Sequence, residues 1–328
     1  MRTIVLLFVL AALASRLHAQ TDARLIRYAD VSDTQIAFVY GGDIWVMPKN
    51  GGTAMQVTHS PGEESWPRFS PDGSEIAYTA AYNGNADVYV MPATGGVPTR
   101  VTYQSFGDRV VDWHPDGERL LFASGRESGR QSFSQFYLVS KEGGFPEKLA
   151  VPYGELASYS PDGNRLAYIT KITENYPFKR YQGGLASDII LFDLRNNTAE
   201  NITTNNVNDG KPAWVGDEVY FVSDQGPNFR LNIWSYDTQT GEASQVTSFT
   251  DFDISLMSAG PEDIVFEAGG TLYLMNLDTH EYGPVPVQVV SDLSLEMPRS
   301  VDVSQRISNM TGSPQGKRVV FEARGELF

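Results

Sequence analysis

Three stretches of the chain follow one grammar: FSPDGSEIAYTA at 69–80, WHPDGERLLFAS at 113–124 and YSPDGNRLAYIT at 159–170. Each has an aromatic residue, one variable residue, Pro-Asp-Gly, two polar residues and then alternating apolar positions. Proline presets the backbone for the first central position of a turn, and Asp suits the second. Gly then takes the left-handed conformation that closes a bulged hairpin. Each copy is therefore a tight turn feeding a strand. The turn prolines Pro71, Pro115 and Pro161 are 44 and 46 residues apart, a period that signals stacked or radial repeats.

Extending each copy gives a unit of four strands. A short strand at 66–69 leads through the turn into SEIAYTA, then DVYVMP, then a Gly-rich turn and PTRVT. The third strand recurs as DIWVMP (43–48), DVYVMP (87–92), QFYLVS (135–140), DIILFD (188–193), NIWSYD (232–237) and TLYLMN (271–276). The fourth is expected at QVT (56–58), RVT (100–102), NIT (201–203) and QVT (245–247). Six third strands predict six repeats, and four-stranded antiparallel units of this length are the blades of an all-β, six-bladed β-propeller. Later copies drift, with WVGDE and AGPED where the turn is expected in the fifth and sixth units.

The last residues, RVVFEARGELF (318–328), align without a gap on QIAFVYGGDIW (35–45), and SPQGKR at 313–318 supplies the matching turn. The expectation is a six-bladed propeller over 20–292, with 293–328 a linker and the first strands of a second propeller. On this reading the sequence is the N-terminal part of something longer, with residues near 291–305 as the connector.

The N-terminus begins Met1-Arg2-Thr3 and continues as an apolar run from Ile4 to Ala14, then SRLHAQ. A cationic start, a short apolar core and a small residue at Ala19 predict a signal peptide over 1–19 and a periplasmic or secreted protein. An uncleaved anchor and a buried first strand are the alternatives. Spanning ~30 Å of hydrocarbon takes about 20 apolar residues, more than this run offers. The 328 residues carry 25 Lys plus Arg against 40 Asp plus Glu, a net charge of −15 that would repel nucleic acid. Without any cysteine the chain has no disulfide, thiolate metal site or cysteine nucleophile.

The turn repeats resemble the propellers of the periplasmic Tol-system protein and its relatives. A narrower set of residues resembles the N-terminal region of tricorn-type proteases: ASGRESGRQSFSQFYLVSKEGGFPEKL (123–149), KRYQGGLASDIILFDL (179–194) and the closing RVVFEARGELF. That resemblance implies a seven-bladed propeller, a PDZ domain and a serine-protease core after the six-bladed one. It also implies degradation of short peptides, with the propellers as passages. It makes this chain a non-catalytic, substrate-handling module. Its partners would be peptides or unfolded polypeptide, the other domains of the parent and further copies in a homo-oligomer. The competing reading is a non-enzymatic envelope propeller that binds a protein partner.

Catalytic chemistry is sparse. A nucleophilic triad needs a base, usually His. Beyond His18 in the leader, His59, His114 and His280 each stand at a loop or turn position set by the repeat. Asp72, Asp116 and Asp162 lack the alternating carboxylates of a calcium loop, and turn chemistry accounts for them. No cofactor or metal is expected. Trp45, Tyr89 and Trp234 are expected to pack blades.

The loops between second and third strands are long in units three (124–134) and four (171–186), and they carry Arg126, Arg130, Lys171, Lys179 and Arg180. A basic patch on so acidic a chain is either a solvated pair of variable loops or a receptor for a carboxylate held by guanidinium groups. The resemblance implies the second: a basic anchor for the peptide C-terminus at Arg126, Arg130, Lys179 and Arg180.

Overall fold

A computed structural model describes residues 21–24, 26–129, 133–172, 180–184, 186–290 and 300–328. It divides into two units, residues 1–290 and 291–328. The described residues contain strands and turns and no helix.

The first unit is a ring of six antiparallel sheets, each with its four strands in chain order. The inner strands, which wall the axis, are Arg27–Val31, Glu64–Phe69, Asp108–Trp113, Leu156–Tyr159, Asp209–Val215 and Ile254–Ala259. Six apolar clusters hold the ring together, one at each junction between neighbouring blades. Their largest fully buried side chains include Phe38, Tyr78, Phe122, Phe136, Phe221 and Phe266, all on second or third strands. Each such side chain removes roughly 150–250 Å² from water, so the junctions carry most of the stability. Trp45 and Tyr89 lie in these clusters and Trp234 packs against one.

The turns form as their sequences predict. In the second blade Gly73 (φ 71°) donates its N–H to the Ser70 carbonyl at 2.8 Å, and Ser70 donates to Glu75 at 2.9 Å. The Asp72 carboxylate accepts the Ser70 hydroxyl at 2.6 Å and the Ser74 N–H at 3.0 Å, which holds its pKa down at about 2. Gly117 and Gly163 repeat the geometry at φ 71° and 69°. The sixth blade departs from it for a steric reason. A Cβ on Gly260 would lie 2.4 Å from the Val31 carbonyl of blade one, so the serine of the other copies does not fit there.

The expected fourth strands are corrected by the structure. In QVT, RVT and NIT the threonine lies beyond the strand end and folds its hydroxyl back. Thr58, Thr102, Thr203 and Thr247 accept the N–H of Ile44, Val88, Ile189 and Ile233 at 2.7–3.0 Å. Each threonine follows its donor by 14 residues. The hydroxyl satisfies a third-strand N–H that the short outer strand leaves open.

Closure uses a strand outside the four-strand pattern. Blade one is complete in itself, and Val287–Val289, which follows blade six, pairs in parallel with its outer strand Gly52–Gln56. Thr21–Asp22 then pairs antiparallel with Val287–Val289. Val285, Val287 and Val289 join Val265 and Leu272 of blade six and Ile36, Phe38 and Trp45 of blade one in a single cluster.

The second unit is a three-stranded antiparallel meander: Ile307–Gly312, Val319–Ala323 and Glu326–Leu327. Its turn repeats the hydrogen bonds of the propeller turns, with Gly316 donating to Ser313 and Ser313 to Arg318, each at 2.8 Å.

Candidate functional site

One position of the inner strands recurs around the axis, three residues before the turn proline where there is one. It holds Asp30, Arg68, Asp112, Ser158, Ala213 and Ser258. The polar members join adjacent blades. Asp30 accepts the Phe69 N–H at 2.7 Å, Asp112 the Tyr159 N–H at 3.1 Å and Ser158 the Trp214 N–H at 3.0 Å. Arg68 donates to the Val111 carbonyl at 3.2 Å, and Ser258 donates to Asp30 across the closing junction. These pairings bridge five of the six junctions and form a polar collar that was not anticipated from sequence. Its sequence signal is a polar side chain at a fixed offset before the turn in five of the six blades.

The collar lines a cavity of about 370 Å³ that draws residues from all six blades, including Phe69, Trp113, Tyr159 and Trp214. Prolines of the turns, among them Pro71, Pro115 and Pro161, form its rim. Arg68 lies 3.6 Å from Asp30, which burial pushes up from the usual carboxylate value while Arg68 and Ser258 pull it back. Asp112 borders the cavity yet is surrounded by protein, and that desolvation pushes it up to about 6, against the opposing pull of the Tyr159 N–H and Arg68. The arrangement is an aromatic-walled, mildly anionic socket on the axis. It can receive the end of an extended chain.

The raised Asp112 has a stability consequence with a definite sign. Between its ordinary pKa near 3.8 and about 6, the folded state holds a proton that the unfolded chain has released. Stability from this group is therefore lost as pH rises through that window, by on the order of 2 kcal/mol. Denaturation measured from pH 4 to 7 is expected to show Asp112→Asn gaining on the wild type by about that amount. Parallel curves would mean the carboxyl titrates normally.

Of the four residues expected to form a basic anchor, the two that are described, Arg126 and Arg180, are engaged elsewhere. Arg130 and Lys179 lie outside the described residues. Arg126 makes a two-pronged pair with Asp108, its Nη2 at 2.8 and 2.7 Å from the two oxygens, and lies 5.0 and 4.8 Å over the rings of Phe122 and Tyr137. Arg180 binds Asp253 at 3.0 Å and the Phe229 carbonyl at 2.6 Å. Lys171 donates to the Gly184 carbonyl. The structure thus does not bring Arg126 and Arg180 onto one receptor, and each guanidinium already holds a carboxylate. The histidines are also apart. His114 stacks edge-on against Tyr159 at 4.9 Å with burial lowering its pKa, His280 meets the Tyr220 hydroxyl at 3.0 Å, and exposed His59 lies 3.2 Å from Gln56.

Six four-stranded blades around an axial socket define a six-bladed β-propeller. A family model described as the tricorn protease N-terminal β-propeller domain matches residues 23–281, and the chain belongs to that family. A tricorn protease homolog of Saccharolobus solfataricus is 24% identical over 304 residues, covering 92% of this chain and 28% of that protein. The tricorn protease of Thermoplasma acidophilum is 25% identical over 337 residues, covering 95% and 29%. The chain therefore spans less than a third of the length of these relatives. The crystal structure of the tricorn protease superposes with a TM-score of 0.74 at 24% identity, over 93% of this chain and 30% of that one. TolB of Acinetobacter baumannii superposes with a TM-score of 0.52 at 20% identity, over 67% and 53%. At these identities the superpositions speak to the fold.

Proposed function

We propose that the chain is the N-terminal, substrate-handling propeller of an exported tricorn-like serine protease that degrades peptides, and that it is itself non-catalytic. The observation that carries the reading is the axial socket, walled by all six blades, in a member of this family. An extended peptide suits it: aromatic walls take side chains, and the collar offers donors and acceptors to a backbone end. Proteolysis would be supplied by the protease core of the parent, which also brings a second propeller and a PDZ domain as partners. Export rests on the character of Met1–Ala19, which lie outside the described residues.

The purified 328-residue chain is expected to bind short unstructured peptides saturably, read by fluorescence anisotropy, and to hydrolyse none of a fluorogenic panel. Hydrolysis that survives replacement of His59, His114 and His280 would overturn the non-catalytic assignment. Tight retention of a folded envelope protein, with no affinity for peptides, would favour the binding-module alternative.

A further inference from the structure

Trp66 sits on the inner strand of blade two in the left-handed conformation (φ 56°), next to Pro67 and within a register shift between Ser65 and Arg68. A bulge re-aims a side chain, and an aromatic residue at positive φ is strained backbone of the sort retained where it serves a purpose. Tyr28 and Lys211 occupy matching bulges in blades one and five, at φ 57° and 53°. The Trp66 ring packs against the core between blades two and three and also against the core between blades four and five. The second of these cores borders blade five, which stands opposite blade two in a ring of six, so the indole reaches over the axis to meet it.

Its neighbours hold it there. The Tyr28 ring lies 4.5 Å away, centroid to centroid, and the guanidinium groups of Arg109 and Arg68 lie 5.4 and 5.9 Å from the indole. Arg109 is in turn fixed by the Glu155 carboxylate at 2.7 Å and the Glu155 carbonyl at 2.5 Å. The cavity described above is lined from Arg68 outward, on the turn side of the indole.

We propose that Trp66 is the plug of the axial channel and the residue that decides how much of a chain the propeller admits. This rests on the reading of the propeller as a peptide-handling channel. With the indole across the axis, the socket is blind. Its walls span three to five residues at the end of each inner strand and the turn after it, such as Asp30–Ser32 and Arg68–Pro71. At a rise of about 3.3 Å per residue they house roughly three or four extended residues. Passage of anything longer requires the indole to swing aside.

The test is a length series of unstructured peptides, from two to ten residues, titrated into the 328-residue chain, Trp66→Ala and Trp66→Phe. Wild-type affinity is expected to stop rising at about four residues. In Trp66→Ala it should keep rising to about seven, the length of the longest inner strand, by ten-fold or more. Trp66→Phe should restore a shorter plateau, which a purely structural role for the indole would not produce. A plateau at the same length in wild type and Trp66→Ala would overturn the plug, as would a wild type that already gains beyond four residues. If no peptide binds the wild type, the peptide-handling reading fails. The crystal structure of Trp66→Ala then decides the plug separately: an unbroken axial channel supports it, and a channel still closed at that level refutes it.

Discussion

Replacing Arg126 with alanine is expected to destabilise the propeller by about 3–5 kcal/mol, because it strands a buried carboxylate. Asp108 has no exposed side-chain surface, and Arg126 contacts both of its oxygens. Urea denaturation of the purified chain measures the effect directly. The double replacement Asp108→Leu/Arg126→Met should recover most of the loss, since an apolar pair of similar volume avoids the desolvation cost that the ion pair bears. A loss below about 1 kcal/mol for Arg126→Ala would show the pair to be dispensable. An arginine held available for a peptide carboxylate behaves in the opposite way: its removal weakens binding of peptides with a free C-terminus and barely touches the fold.

Placing a charge at Val289 is expected to cost on the order of 4 kcal/mol, with the damage confined at first to the closing junction. Val289 is fully buried, and the segment around it joins blade six to blade one. Val289→Asp would leave a carboxylate buried in an apolar cluster. Hydrogen exchange should rise first along Gly52–Gln56 and Thr271–Asn276. Val290 is half exposed, and Val290→Asp should stay within about 0.5 kcal/mol of the wild type. Equal effects of the two substitutions would mean that Val287–Val289 does not seal the ring.

The blade plan was legible because its determinants are local. Pro-Asp-Gly specifies a turn within four residues, and alternation specifies a strand within six. The third strands at 43–48, 87–92, 135–140, 232–237 and 271–276 have the expected bounds, and only the fourth blade's is shorter, at Ile190–Asp193. QVT, RVT and NIT read as fourth strands because the motif recurs at one place in four of the six units. The threonine's constant separation of 14 residues from a third-strand donor was the available signal. The closing strand was also visible in principle, since Val285, Val287 and Val289 alternate at period two. What it pairs with was not, because its partner is more than two hundred residues earlier.

The basic loops show what a count of local charge leaves out. Arg126 and Arg180 stand out in sequence, but their acids are 18 and 73 residues away on other strands and loops. Local composition carries no information about such pairs. The collar and Trp66 were hidden for a related reason: facing the axis is a property of the closed ring, and no single blade displays it.

The way the ring is sealed also orders events in time. Five of the six junctions join blades that follow one another in the chain, so they can form as the polypeptide lengthens. The sixth joins partners 228 and 238 residues apart, Ser258 to Asp30 and Ala29 to Glu267. It also needs Val287–Val289, which emerges after every blade is complete. Loop-closure entropy grows only slowly with length, but contacts this distant in sequence slow the search for the native state. Until they form, blade one presents the unpaired backbone of Gly52–Gln56 at its outer edge, where another nascent chain could add a strand. The slowest and most aggregation-exposed step in making this propeller is thus its last one, and stabilising an individual blade would do little to hasten it.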